Sequence, residues 1–363
     1  MEINELSIEE KIGQMIITGI EGNRITKRTE KLILKYKIGG VILYRKNFKT
    51  YGEMVNLIKE LKKLNKQNKI PLLISIDQEG GRVNRMPKDF LNLPAANFIA
   101  EKMGDEGVRE AASIMGYILN KVGFNMNFSP VLDLKRYETK AIGDRSFGTD
   151  LEKVSKYGLI QINEFKSKNI ISVIKHFPGH GATKDDSHFT LPKIKIDMEK
   201  LENEDMIPFK NAIENGADAV LVGHLKIKGF KEKYPCSLSR KFITKYLRKN
   251  YHYRGLVISD DLKMNAIKYF YGTSRAIVKS FKAGNDISII RFNENDENRA
   301  ILKIIDLAKK EKLNKYKIDM SVKRILKIKE KYGISDNIDY NADIDFEEIN
   351  KRIAEIRKKC LNI

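Results

Sequence analysis

Eight short apolar runs recur along this chain, and lysine-rich amphipathic stretches of helical length separate most of them. The runs are Met15–Ile20, Val41–Tyr44, Leu72–Asp77, Asn127–Asp133, Ile171–His176, Ala219–His224, Leu256–Asp261 and Asp286–Ile290. Near-continuous apolar character over so few residues marks strands covered on both faces, as in a parallel sheet. The stretches between them include Tyr51–Lys66, Glu106–Val122, Leu151–Lys168, Glu199–Asn215 and Arg240–Tyr251. Short apolar strands alternating with helices imply an α/β fold, and eight such units over about 300 residues match a single TIM-like (β/α)8 barrel. No Gly/Pro/Ser-rich linker divides the chain, so residues 1–333 are read as the barrel. Residues 334–363 are read as a short C-terminal helical extension, helical from about Phe346 to Lys359 and packed on the barrel's outside.

Charge invites a different reading. The chain of 363 residues carries 68 Lys and Arg against 48 Asp and Glu, a formal net charge of +20, which is the composition of many nucleic-acid binders. The lysines are spread along the whole chain, however, and interleave with apolar positions. In Ser321–Tyr332, Val322, Ile325 and Leu326 share a helix face while Lys323, Lys327 and Lys331 lie off it, on a solvated side. No nucleic-acid signature accompanies them, so no nucleic-acid partner is expected. No uncharged apolar run of about 18 residues occurs, so no membrane partner is expected either. The N-terminus, Met-Glu-Ile-Asn-Glu-Leu-Ser, is acidic and lacks the apolar core of a signal peptide. Cys236 and Cys360 form no metal-spaced pair, which suits a reducing compartment. A cytoplasmic monomer is the expectation.

The strand ends share a property that packing does not require. The third run ends in Asp77, the fourth in Asp133, the fifth in Lys175-His176, the sixth in His224 and the seventh in Asp260-Asp261. In a parallel barrel these groups converge on one mouth, where such enzymes place their chemistry. Beyond the fifth run lies Lys-His-Phe-Pro-Gly-His-Gly-Ala-Thr-Lys-Asp-Asp-Ser-His, residues 175–188, with three of the chain's five histidines and two adjacent carboxylates. There is no nucleophile elbow, P-loop or dinucleotide fingerprint. Two chemistries remain open on residue types: glycoside cleavage by a nucleophile and a proton donor, and metal-assisted hydrolysis through His176, His180, His188 or His224. Pro178 and Gly179 separate His176 from His180, so these do not form a helical metal pair. No metal and no cofactor are expected.

Residues 175–188, followed by Phe-Thr-Leu-Pro192, resemble the signature loop of family 3 glycoside hydrolases, in the bacterial β-N-acetylglucosaminidase branch. Further matches are Asp77-Gln78-Glu79-Gly80-Gly81-Arg82-Val83-Asn84-Arg85, Ser129-Pro130-Val131-Leu132-Asp133, Arg145-Ser146-Phe147-Gly148 and Ser259-Asp260-Asp261-Leu262-Lys263-Met264. The resemblance implies a TIM-like barrel that removes terminal β-linked N-acetylglucosamine with retention of configuration. For short members without a signal peptide it implies cytoplasmic recycling of cell-wall muropeptides. It makes Asp260 the nucleophile, His188 the general acid/base and Asp186 its partner. It assigns Asp77, Arg85, Arg145, Lys175 and His176 to the sugar ring. Neighbours on a strand point to opposite sides, so Asp261 is expected to face the packing in a hydrogen-bonded, structural role. Two departures stand out. Ala182 replaces the Asp that family members usually carry in the loop, and the chain lacks the further domain with which many family β-glucosidases complete their site. A histidine acid/base does not repel an incoming phosphate, so phosphorolysis competes with hydrolysis.

Overall fold

The computed structural model describes residues 2–139, 141–185, 191–290 and 294–361. Eight parallel strands close into a barrel: β1 (Ile16–Gly19), β2 (Gly40–Leu43), β3 (Leu73–Ile76), β4 (Met126–Asn127), β5 (Ile171–Phe177), β6 (Ala219–Val222), β7 (Leu256–Ser259) and β8 (Ile287–Ile290). Closure is made by β1, which pairs β8 at Ile17↔Ile289 and β2 at Ile17↔Gly40. The strands are buried except at His176, as their richness in Ile, Val and Leu requires. Where a small polar residue enters this core its hydroxyl bonds a carbonyl of the next strand: Thr18 Oγ1 to Ile290 O at 2.8 Å and Ser75 Oγ to Val41 O at 2.8 Å. Ser259, at the end of β7, is an exception: its buried Oγ has no hydrogen-bond partner among the described residues, which costs desolvation.

Two elements differ from expectation. The fourth strand spans Met126–Asn127 rather than Asn127–Asp133. Pro130 has no N–H to give a ladder, and Ser129 N turns back to Asn127 O at 2.9 Å. The chain then crosses to β5 irregularly, with Leu132 N on Lys175 O at 2.8 Å. The expected helix Glu199–Asn215 is two helices, Met198–Asn203 and Ile207–Glu214. Pro208 stands in the first turn of the second, and it lacks the N–H that a continuous helix would need there. In the break, Glu204 and Asp205 both bind the Arg136 guanidinium, with Asp205 Oδ1 at 2.8 Å from Nε.

The C-terminal helix Phe346–Leu361 buries Ile349, Ile353, Ile356 and Cys360, and packs against the long helix Ala96–Val122. Arg352 Nε meets Glu110 Oε1 across this contact at 2.7 Å. The Tyr51, Phe90 and Phe346 rings pack at its start, with centroids 5.2–5.8 Å apart.

The helix Lys315–Lys331 crosses the amino-terminal end of the barrel. Val322 and Ile325 are buried and Lys323, Lys327 and Lys331 exposed, as the spacing requires. Lys329 is the exception, at 4% exposure. Its Nζ donates to Gln14 Oε1 at 2.7 Å, Gly39 O at 3.0 Å and Pro71 O at 2.6 Å. Three acceptors match the three N–H bonds of an ammonium, and they tie together the segments that enter β1, β2 and β3. Burial opposes the charge and pulls the Lys329 ammonium down to about 7. Lys329→Met keeps the aliphatic stem but strands three buried acceptors, so chemical denaturation should show a loss on the order of 2–4 kcal/mol. The unfolded chain holds the Lys329 proton more tightly than the folded one between about pH 7 and the ordinary lysine value. Stability contributed by this group therefore rises with pH through that window. The gap between wild type and Lys329→Met should widen from pH 7 toward pH 10; an unchanged gap would refute the titration.

Candidate active site

The site begins with the turn after β3. Asn127, at the end of β4, brackets Gln78: its Oδ1 accepts Gln78 N at 2.9 Å and its Nδ2 donates to Gln78 O at 2.8 Å. This fixes the backbone between Asp77 and Glu79. The Gln78 side chain in turn accepts Arg85 N at 2.7 Å and donates to Asn84 Oδ1 at 3.0 Å. Gly81 makes the turn possible, because φ is +52° and a Cβ there would lie 2.7 Å from Ala95 Cβ.

Glu79 is the hub of a buried ion cluster. Arg145 grips it with two parallel bonds, Nε to Oε2 and Nη2 to Oε1, each 2.8 Å. Lys175 Nζ lies 2.5 Å from Glu79 Oε1 and 2.8 Å from Asp77 Oδ1. Burial alone would raise the Glu79 carboxyl, but the charges and hydrogen bonds of Arg145 and Lys175 outweigh it and hold Glu79 well below the usual carboxylate range. The same balance keeps Arg145 charged: burial opposes its charge, and Glu79 more than compensates. Among the described residues Lys175 directs two of its three N–H bonds to carboxylates.

Asp133 anchors the loop after β5. It is fully buried, and its Oδ2 lies 2.7 Å from His176 Nδ1. It also accepts the backbone N–H of His176 at 3.1 Å and of His180 at 2.6 Å. Burial pushes this carboxyl up, and the His176 interaction with the His180 bond brings it below its ordinary value. His180 itself is lowered to about 4, first by burial and then by the charge of His176, so it is neutral at pH 7. Gly181 is required here, since a Cβ would sit 1.8 Å from Leu134 O.

After β7 the chain presents Asp260 and Asp261. Asp260 is partly exposed, and its Oδ1 accepts Asp261 N at 2.8 Å. Asp261 is 6% exposed and accepts Lys263 N at 3.0 Å, while its carbonyl meets His224 Nε2 at 2.9 Å. Both border the cavity, and Asp261 is the more buried of the two. The ladder of β7 ends at Ser259, so strand alternation no longer governs the pair.

These elements enclose a cavity of about 200 Å³ at the carboxyl ends of the strands, bordered by Asp77, Arg85, Arg145, Lys175, His176 and Asp260. All six residues come from the sequence reading and share one site. Asp186 and His188 lie outside the described residues. Glu79 is the addition: it was part of a quoted motif but carried no role. Its signal is its place two residues after Asp77 on the turn after β3.

The Glycosyl hydrolase family 3 N terminal domain matches residues 7–328. The chain belongs to glycosyl hydrolase family 3. It is a glycoside hydrolase. Among family relatives, Beta-hexosaminidase A of Pseudoalteromonas piscicida is 32% identical over 326 residues. That match takes in 83% of this chain but 54% of the relative, so the chain spans about half its length. The Beta-hexosaminidase of Hydrogenovibrio crunogenus is 30% identical over 281 residues, 76% of this chain and 78% of that protein. In three dimensions the family 3 β-N-acetylglucosaminidase of Paenibacillus sp. superposes with a TM-score of 0.92 at 32% identity. That superposition covers 98% of this chain and 69% of the other.

Glu79→Gln tests the hub. It leaves Arg145 and Lys175 buried with one carboxylate fewer, so unfolding free energy should fall by about 3 kcal/mol. KM for a chromogenic glycoside should rise, because both cations lose their aim. Unchanged stability and KM would show that the cluster is incidental.

Proposed function

We propose that this glycoside hydrolase is a retaining exo-β-N-acetylglucosaminidase that removes terminal non-reducing β-1,4-linked N-acetylglucosamine from muropeptides in the cytoplasm, as a step of peptidoglycan recycling. The relatives named above as β-hexosaminidases and β-N-acetylglucosaminidase support the sugar. The observation that carries the reading is the cavity's charge balance around Asp260. Four carboxylates border it (Asp77, Glu79, Asp260, Asp261), as do four cations (Arg82, Arg85, Arg145, Lys175). A site so balanced has little net attraction for an anion and many fixed donors and acceptors, which suits a neutral, hydroxyl-rich ring. Among the described residues Asp77 is hydrogen-bonded through Oδ1 alone, which leaves Oδ2 to accept a sugar hydroxyl.

In this reading the Asp260 carboxylate attacks the anomeric carbon while His188 protonates the departing oxygen, giving a covalent glycosyl–enzyme. Asp186 fixes the imidazole tautomer. His188 then takes a proton from water, whose oxygen attacks from the face the leaving group vacated and displaces Asp260 from the opposite one, so two inversions retain the configuration. A substrate panel tests the specificity: β-N-acetylglucosaminides should be cleaved in preference to β-glucosides and β-xylosides. Free N-acetylglucosamine should appear with or without phosphate in the buffer; a sugar 1-phosphate would mean phosphorolysis.

Asp260→Ala should abolish turnover with the fold intact, and a slow fluorinated substrate should label the peptide carrying Asp260. An adduct on Asp261, or near-normal turnover, would refute the assignment. His188→Ala should lose most on substrates with a sugar alcohol leaving group and least on an activated phenol, with a burst of phenol as the intermediate accumulates. Asp186→Ala should show a milder form of the same pattern. Equal losses on both substrates, without a burst, would assign proton donation to another group.

A further inference from the structure

A second and larger hollow lies on the barrel's flank. It is a groove of about 760 Å³ between the helical segment 240–250 and the helix Thr273–Ala283, and the start of the helix Lys315–Lys331 closes its lower end. It reaches Arg254, Gly284 and Met15, just before β7, β8 and β1, and shares no bordering residue with the cavity at the mouth. Its floor is apolar, formed by Leu238, Ile243, Phe281 and Leu313.

Its walls are cationic. Arg240, Arg254, Lys279, Lys282, Lys312 and Lys317 border it, together with Arg248 and Arg324, against a single acidic residue, Glu232. Over the whole chain the ratio is 68 to 48, so the groove concentrates positive charge beyond what composition supplies. Of these eight cations only Arg248 and Arg324 are ion-paired among the described residues, and both pair with the buried Asp286, at 2.6 and 2.9 Å. One carboxylate therefore serves two guanidinium groups, and the other six cations have none. Neighbouring groups register the crowding. Lys317 is lowered, first by burial and then by the charge of Arg240. Tyr234 is lowered chiefly by its hydrogen bond to Lys279, whose Nζ sits 4.4 Å from the ring centroid. Tyr316, 71% exposed, stands at the edge.

We propose that this groove is a second ligand site, and that it takes a polyphosphate chain, free or carried by a nucleoside di- or triphosphate. Charge complementarity selects the phosphates. Several cations spaced along a groove suit several anionic groups in a row better than one isolated anion. The apolar floor and the Tyr316 ring offer a face on which a planar base stacks. The volume lies in the range of small-molecule sites.

Calorimetric titration of the intact protein, at fixed ionic strength and without metal, tests this with ATP, tripolyphosphate and adenosine. ATP and tripolyphosphate should each bind saturably at one site, and adenosine should not. Tighter binding of ATP identifies a nucleotide as the occupant; equal binding identifies the phosphate chain alone. Arg254→Glu and Lys317→Glu should each weaken binding tenfold or more, with Lys312→Glu as the replacement for either variant that shifts the unfolding midpoint. Absence of saturable binding, adenosine binding as tightly as ATP, or folded charge-reversal variants that bind like wild type would each overturn the proposal.

Discussion

Every strand of the barrel runs in the same direction, and β1 closes the sheet on β8. That one constraint sends all eight carboxyl ends to a single rim, where groups distant in sequence must share a small volume. Charges placed there lose water and need partners already in position. Glu79 follows β3, Arg145 follows β4 and Lys175 belongs to β5, so their contacts at 2.5–2.8 Å bind three successive segments together. Asp133 does the same between the chain after β4 and two histidines, His176 near the end of β5 and His180 beyond it. The ion cluster is thus both a product of barrel closure and the means by which the rim keeps its shape. A ligand entering such a rim meets groups that already point inward, and little has to reorganise when it binds.

What the sequence made legible follows from the same geometry. Asp77, Lys175, His176 and Asp260 stand at or just beyond strand ends, so an apolar run followed by a charged residue was enough to place them in one cavity. Glu79 carried no such mark, because it lies in a turn where neither strand nor helix periodicity operates. Strand boundaries were overdrawn wherever apolar residues continue past the ladder, as between Phe128 and Leu132, which are buried without being paired as a strand. Asp186 and His188 rest on the resemblance of their loop.

The amino-terminal end of the barrel obeys a parallel rule with different residues. Lys329 draws together the entries to β1, β2 and β3, and Asp286 holds Arg248 and Arg324 while accepting Val257 N at 2.9 Å. Neither was visible as a lysine or aspartate with a structural task, since each sits in a segment whose pattern reads correctly without it. A lysine-rich helix looks solvated on every polar position until the fold shows which one turns under the barrel. Conserving such contacts serves stability, whereas the opposite rim serves chemistry, the division of labour expected of this architecture.

The two hollows show how unevenly the chain's charge of +20 is distributed. At the mouth, four cations meet four carboxylates, and the field of one sign is cancelled within a few ångströms. Selection there depends on where each donor and acceptor points, so it favours a neutral ring whose hydroxyls fit and is little affected by distant charge. On the flank, eight cations face one bordering acid and one buried beneath them. Their field is not cancelled locally, reaches to about the Debye length, and selects first by charge and only then by shape. The excess charge of the chain is therefore a poor guide to the catalytic ligand. It is unevenly placed, and the flank groove, where it is poorly compensated, shares no bordering residue with the cavity that holds Asp260.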